Sequence, residues 1–88
     1  MLRISIINDS DQVIAYQLEG RLVGPWVDEL RRLGEEAFAQ EKALMLDLEG
    51  VRFADQQGIA LLQEFSQRQV PQFNCSQFLI QQMKELTR

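Results

Sequence analysis

Leu2, Ile4 and Ile6 alternate with Arg3 and Ser5 at the start of the chain, the two-residue period of a strand with one face buried. The turn formers of "NDSDQ" follow, and "VIAYQL" then places Ile14, Tyr16 and Leu18 on one face of a second strand. Two alternating runs separated by a polar turn predict an antiparallel hairpin.

The period then lengthens. Pro25 after Gly24 suits a first helical position, where the N–H that proline lacks has no carbonyl to meet. Trp26, Leu30, Leu33 and Ala37 recur at four- and three-residue spacing, and Asp28, Glu29, Arg31, Arg32, Glu35 and Glu36 fill the other face, which predicts an amphipathic helix. "KALMLDL" sets Leu44, Leu46 and Leu48 against Ala43 and Met45, and apolar residues on both faces predict the central strand of a parallel sheet. Asp55 is placed to cap a second helix, along which Ile59, Leu62 and Phe65 mark the buried stripe. "RQVPQFN" has room for only a brief strand, and Pro71 confines it to an edge. Asn74 and Gln77 have capping-box spacing, and a third helix follows with Leu79, Met83 and Leu86 on one face and Lys84 and Arg88 near its negative end. The order predicts an α/β fold: a small mixed four-stranded sheet with about three helices packed mainly on one face.

With 88 residues, the expectation is one domain over residues 1–88. Apolar residues make up 45% and charged residues 25%, a globular balance that argues against a disordered segment. The net charge of -4 with scattered basic residues lacks the concentrated positive charge that displaces phosphate counterions, so no nucleic-acid partner is expected. Cys75 is the lone cysteine and there is no histidine; neither an intrachain disulfide nor a Cys/His zinc site can be built, which fits a reducing cytoplasm. No apolar run reaches the roughly 18 residues of a membrane span, and "MLRISIIND" turns polar too early for a signal peptide. A cytoplasmic protein without direct membrane insertion is expected.

The element order, with "LEGRLVGPWVDEL" and "LMLDLEGVRFADQQGIALL", resembles the STAS domain, the family of anti-sigma factor antagonists and of sulfate-transporter C-terminal domains. The resemblance rests on the apolar strand ending at Asp47, the "LEGV" step and the Asp55-x-x-Gly58 turn entering an apolar helix. It implies a bacterial signalling or regulatory module that binds another protein. In partner-switching members, the residue after the turn aspartate is a serine or threonine that a cognate kinase phosphorylates, and phosphorylation releases the partner. Gln56 stands there in this chain and Gln57 follows; neither has a hydroxyl to accept phosphate. The short "QVPQF" is a second departure, where the family usually has a longer apolar strand.

On this resemblance Asp55, Gln56, Gln57 and Gly58 are the expected partner-binding residues, docking a protein without phosphorylation at Gln56. An anti-sigma factor or kinase-like protein is the expected partner. A transporter ATPase is the alternative, with the chain as accessory subunit of an ABC-type lipid transporter, and self-association into a homo-oligomer stays open. Plainer roles run beside these: Asp55 as a helix cap, Gln56 and Gln57 as solvated first-turn residues, Gly58 as a close-packing point, Trp26 as core, Cys75 as an inert thiol, and Ser10, Ser66 and Ser76 in turns or caps. Asp47, Glu49 and Asp55 lack a histidine or a phosphate-binding glycine loop, so no enzyme, no metal and no cofactor are expected. A reading of another class, a sensor of a small anion or nucleotide at the helix mouth, meets repulsion from the same three carboxylates.

Overall fold

The computed structural model describes residues 1–86 of the chain. Strands β1 (Leu2–Asp9) and β2 (Val13–Leu22) form the hairpin, and helix α1 (Pro25–Ala39) leads to β3 (Ala43–Ala54). Helix α2 (Gln56–Gln67), the two-residue β4 (Gln72–Phe73) and α3 (Gln77–Leu86) follow. The predicted roles of the Leu86 side chain and of Arg88 lie outside the described residues.

The strands lie in the order β1-β2-β3-β4. β1 runs antiparallel to β2, and β2, β3 and β4 are mutually parallel where they pair. Parallel neighbours need a crossover, which α1 provides between β2 and β3 and α2 between β3 and β4. The sheet is thus mixed and four-stranded, as its periodicity predicts.

Ile14, Tyr16, Leu18 and Leu22 of β2 and Leu44, Leu46 and Leu48 of β3 are buried, and α1 and α2 cover this face. A Cβ added to Gly34 of α1 would come 2.6 Å from Phe65 of α2 and 3.5 Å from Leu44 of β3, so the three elements meet at that glycine. On the opposite face Met45, Gln17 and Asp47 are half-buried, and no helix among the described residues is laid over them. The doubly apolar pattern of β3 therefore reflects its central position in the sheet and not a cover on each side.

Three expectations are corrected. The buried line of α1 is Val27, Leu30, Gly34 and Ala37; Trp26 and Leu33 stand half-buried at its margin, because the helix is rolled so that Gly34 can approach Phe65. β3 does not end near Asp47 but continues to Ala54 through two register shifts against β2. At the first of them a Cβ on Gly50 would lie 2.6 Å from Glu19 Cγ, so glycine permits the strand to bulge and resume. The cap of α3 is Ser76, whose Oγ accepts from the Leu79 N–H at 3.1 Å. Asn74 instead takes a left-handed backbone, φ 58°, and donates from Nδ2 to Asp47 Oδ1 at 3.2 Å.

Candidate functional site

The "FADQQG" stretch lies where β3 ends and α2 begins. Asp55 is the N-cap with an extended backbone, φ -77° and ψ -179°. Its Oδ1 accepts from the Gly58 N–H at 2.7 Å, filling one of the donors that a helix start leaves without a carbonyl. Its Oδ2 accepts from the Gly24 N–H at 3.0 Å, and its own N–H donates to the Leu22 carbonyl at 3.1 Å.

Asp55 is thus more than the cap that its spacing predicts. One carboxylate links the first turn of α2 to Gly24, the residue that precedes α1. Gly24 is the residue that sequence reading missed as a member of this site. It carries φ 55°, a left-handed conformation that glycine adopts without penalty. The Gly-Pro pair signalled a helix start in the sequence, but nothing local revealed that the glycine N–H would meet a side chain 31 positions on.

Gly58 is buried. A Cβ there would stand 2.6 Å from the Leu22 carbonyl oxygen and 3.3 Å from Ala54 Cβ, so glycine lets α2 sit directly on the end of β2. It offers no side chain to a partner. Gln56 and Gln57, by contrast, are both exposed. A rigid, carboxylate-tied turn therefore presents two neutral side chains that can each donate and accept hydrogen bonds.

Beside the turn lies a depression of about 480 Å³ lined by Phe53, Ala54, Asp55, Gln56, Ile59, Gln82 and Glu85. Helix α3 supplies its far wall, where Gln82 Nε2 donates to the Ala54 carbonyl at 3.4 Å. The Arg21 guanidinium sits 5.2 Å from the Phe53 ring centroid, within cation–π range. Phe53, Gln82 and Glu85 are further residues that sequence reading did not join to the site; their convergence comes from the docking of α3 across the end of β3.

The three carboxylates weighed as a catalytic or metal-binding group are not brought together. Asp47 lies in the middle of β3 and accepts from the Glu49 N–H at 3.0 Å and from Asn74. Asp55 is eight positions further along an extended strand, roughly 20 Å or more at the ordinary rise. No group of three or more His, Cys, Asp or Glu among the described residues is placed to hold a metal ion. The oxygens of Asp55 occupy donors that an anion would seek at this helix mouth. Burial pushes the Cys75 thiol above its ordinary value, which disfavours the reactive thiolate. Ser10 Oγ accepts from the Val13 N–H at 3.1 Å in the hairpin turn, while Ser66 stands exposed in the last turn of α2.

The family model for the STAS domain matches residues 6–71. The chain belongs to the STAS domain family. The match ends at Pro71, before the brief β4 and α3 of this STAS domain. Among solved structures, its fold is similar to the unphosphorylated form of the anti-sigma factor antagonist SpoIIAA, with a TM-score of 0.61 and 18% identity over 74% of this chain and 61% of that one. It is also similar to an uncharacterised Shewanella loihica PV-4 protein with a SpoIIAA-like fold, with a TM-score of 0.55 and 16% identity over 76% of this chain and 56% of that one. This STAS domain therefore spans about three-fifths of the length of these structures. A search of curated protein sequences gives no match. No helix among the described residues is long and apolar enough to cross a membrane.

Proposed function

We propose that this STAS domain is a non-catalytic regulatory module that docks another protein through the first turn of α2, without phosphorylation at that turn. Gln56 and Gln57 make the contact, and Asp55 and Gly58 hold them in place from beneath. The observation that carries this reading is the exposed pair of glutamines on a turn fixed by one carboxylate to two helices. Such a turn loses little conformational entropy when a partner binds, because its backbone is already ordered.

A phosphate at Gln56 in a serine-bearing relative would sit on the free N–H groups of α2 and bring up to about two negative charges. Glutamine is neutral and can hydrogen-bond a partner, but it carries no such switch. The module is then constitutively able to bind, with partner abundance as the natural control. An anti-sigma factor or kinase-like protein is the partner that the SpoIIAA-like fold favours.

The test is quantitative capture from native lysate with the wild-type chain, Gln56→Arg and Gln57→Arg. Loss of the same main partner in both variants, with folding intact by circular dichroism, supports the surface; undiminished capture moves it elsewhere. Stoichiometric phosphorylation of Ser66, the exposed hydroxyl in the last turn of α2, with release of the partner would overturn constitutive binding.

A further inference from the structure

The exposed large apolar side chains among the described residues are Met1, Ile6, Ile7, Phe73 and Phe78. Three of the five lie on or beside β1, a strand of eight residues at the edge of the sheet. Edge strands offer unpaired backbone groups to other chains, and proteins usually blunt them with lysine, proline, shortness or a bulge. From Leu2 to Ile6 this edge has one charged residue, Arg3, and no proline. The bulge comes only after Ile6, where the register against β2 shifts between Ile6 and Asn8.

The backbone direction follows from one bond. The Arg21 N–H donates to the Met1 carbonyl at 3.0 Å, so Met1 and Arg21 form a hydrogen-bonded pair of the antiparallel ladder. Pairs alternate along such a ladder. The N–H and C=O groups of Leu2, Ile4 and Ile6 consequently point away from β2, toward the open edge.

We infer that β1 is a homodimerisation edge: two copies of this chain pair their β1 strands antiparallel about a two-fold axis at Ile4. A two-fold interface needs a surface complementary to itself, and the unbulged run is one, with outward backbone groups at Leu2, Ile4 and Ile6 symmetric about its centre. In this register Leu2 exchanges hydrogen bonds with Ile6 of the second copy, Ile4 with Ile4, and Ile6 with Leu2. Every outward group of the run is used.

The side chains agree with the same register. On the helix-covered face, the exposed Ile6 comes beside Leu2 of the second copy. It extends the mainly apolar groove between β1 and α1, which Leu2, Ile4, Ile6, Tyr16, Trp26 and Leu33 line together with Pro25 and the carboxylate-bearing Glu29. On the open face, Met1, 85% exposed, comes opposite Ile7, 55% exposed. Arg3 comes opposite Ser5 and keeps Glu19 as its neighbour on β2, so no like charges meet directly. A foreign strand would need to reproduce this pattern, whereas the second copy carries it. A pairing of this length makes a small interface, at or below the lower end of specific ones, so the dimer should be concentration-dependent.

The register fixes a chemical test. Arg3 and Ser5 of opposite copies form a non-hydrogen-bonded pair with Cα atoms about 4.5 Å apart, within disulfide reach, whereas like residues sit on a diagonal of about 7–8 Å, beyond it. Arg3→Cys and Ser5→Cys chains, each also carrying Cys75→Ser, are oxidised separately and mixed. The expected result is a mixed disulfide dimer from the mixture and little from either alone. Sedimentation of the wild-type chain should show a monomer–dimer equilibrium, and Ile6→Lys should weaken it at least about tenfold, the effect of a buried charge at an interface. A wild-type chain that stays monomeric at about 100 µM, where a weak specific interface is populated, overturns the proposal. So does absence of the mixed disulfide, which reads the register without relying on the folding of Ile6→Lys.

Discussion

Replacing Asp55 by asparagine separates a simple helix cap from a bridge between two helices. Asparagine and aspartate cap helices about equally well, so a carboxylate that only capped α2 would tolerate the change almost without cost. In this structure Oδ1 serves Gly58 at 2.7 Å and Oδ2 serves Gly24 at 3.0 Å. Asparagine has one acceptor oxygen, and its NH₂ group would face one of the two N–H donors. The bond to Gly58 contributes about 1 kcal/mol, the usual worth of a cap. The bond to the exposed Gly24 contributes about 1 kcal/mol more, in the ordinary range for a net hydrogen bond. Asp55→Asn should therefore cost about 1 kcal/mol and Asp55→Ala about 2 kcal/mol, since both bonds are lost in the latter. For a chain of this size each kcal/mol lowers Tm by about 4–8 °C. Urea denaturation followed by the fluorescence of Trp26, just beyond Gly24, measures the difference. An Asp55→Asn midpoint equal to wild type at an unchanged m-value would refute the bridge and leave only the cap.

Gly58→Ala puts a methyl 2.6 Å from the Leu22 carbonyl oxygen, which cannot retreat without straining its bond from the Asp55 N–H. Overpacking of about 1–3 kcal/mol outweighs the gain of about 1 kcal/mol in helix propensity, and Tm should fall; a rise would show that α2 shifts freely. Tyr16 is buried, and its hydroxyl pKa is raised above 10.0, chiefly by desolvation and then by Glu36 and Asp9. The folded state then holds this proton more tightly than the unfolded chain, so the stabilisation is present below pH 10 and lost as pH rises through the folded pKa. Tyr16→Phe should flatten the stability profile above pH 10, and an unchanged alkaline slope would rule out Tyr16 as its source. Ser76→Ala should cost about 1 kcal/mol as the loss of the α3 cap, whereas a neutral result in thermal melts would remove the cap from Ser76.

Local chemistry was enough for much of the molecule. The alternation of Leu2, Ile4 and Ile6, the four-three spacing through α1 and the continuous apolar run of β3 give the element order, because each period puts its apolar positions on one side of only one kind of element, although of the first three only Leu2 is buried and Ile6 is exposed. Asp55 as the α2 cap and the absence of a hydroxyl at Gln56 and Gln57 are equally local facts. The folded chain decided what depends on the neighbour across a gap. Only packing shows that Gly24 and Gly58 share the carboxylate of Asp55, that α1 buries Val27 and Gly34 in preference to Trp26, and that Ser76 caps α3 while Asn74 turns to Asp47. Phe53, Gln82 and Glu85 join the site only because α3 docks across the end of β3. A linear pattern specifies which residues need burial or a hydrogen-bond partner, but the partner is chosen by register and close approach. Those distances are set when the sheet and helices meet.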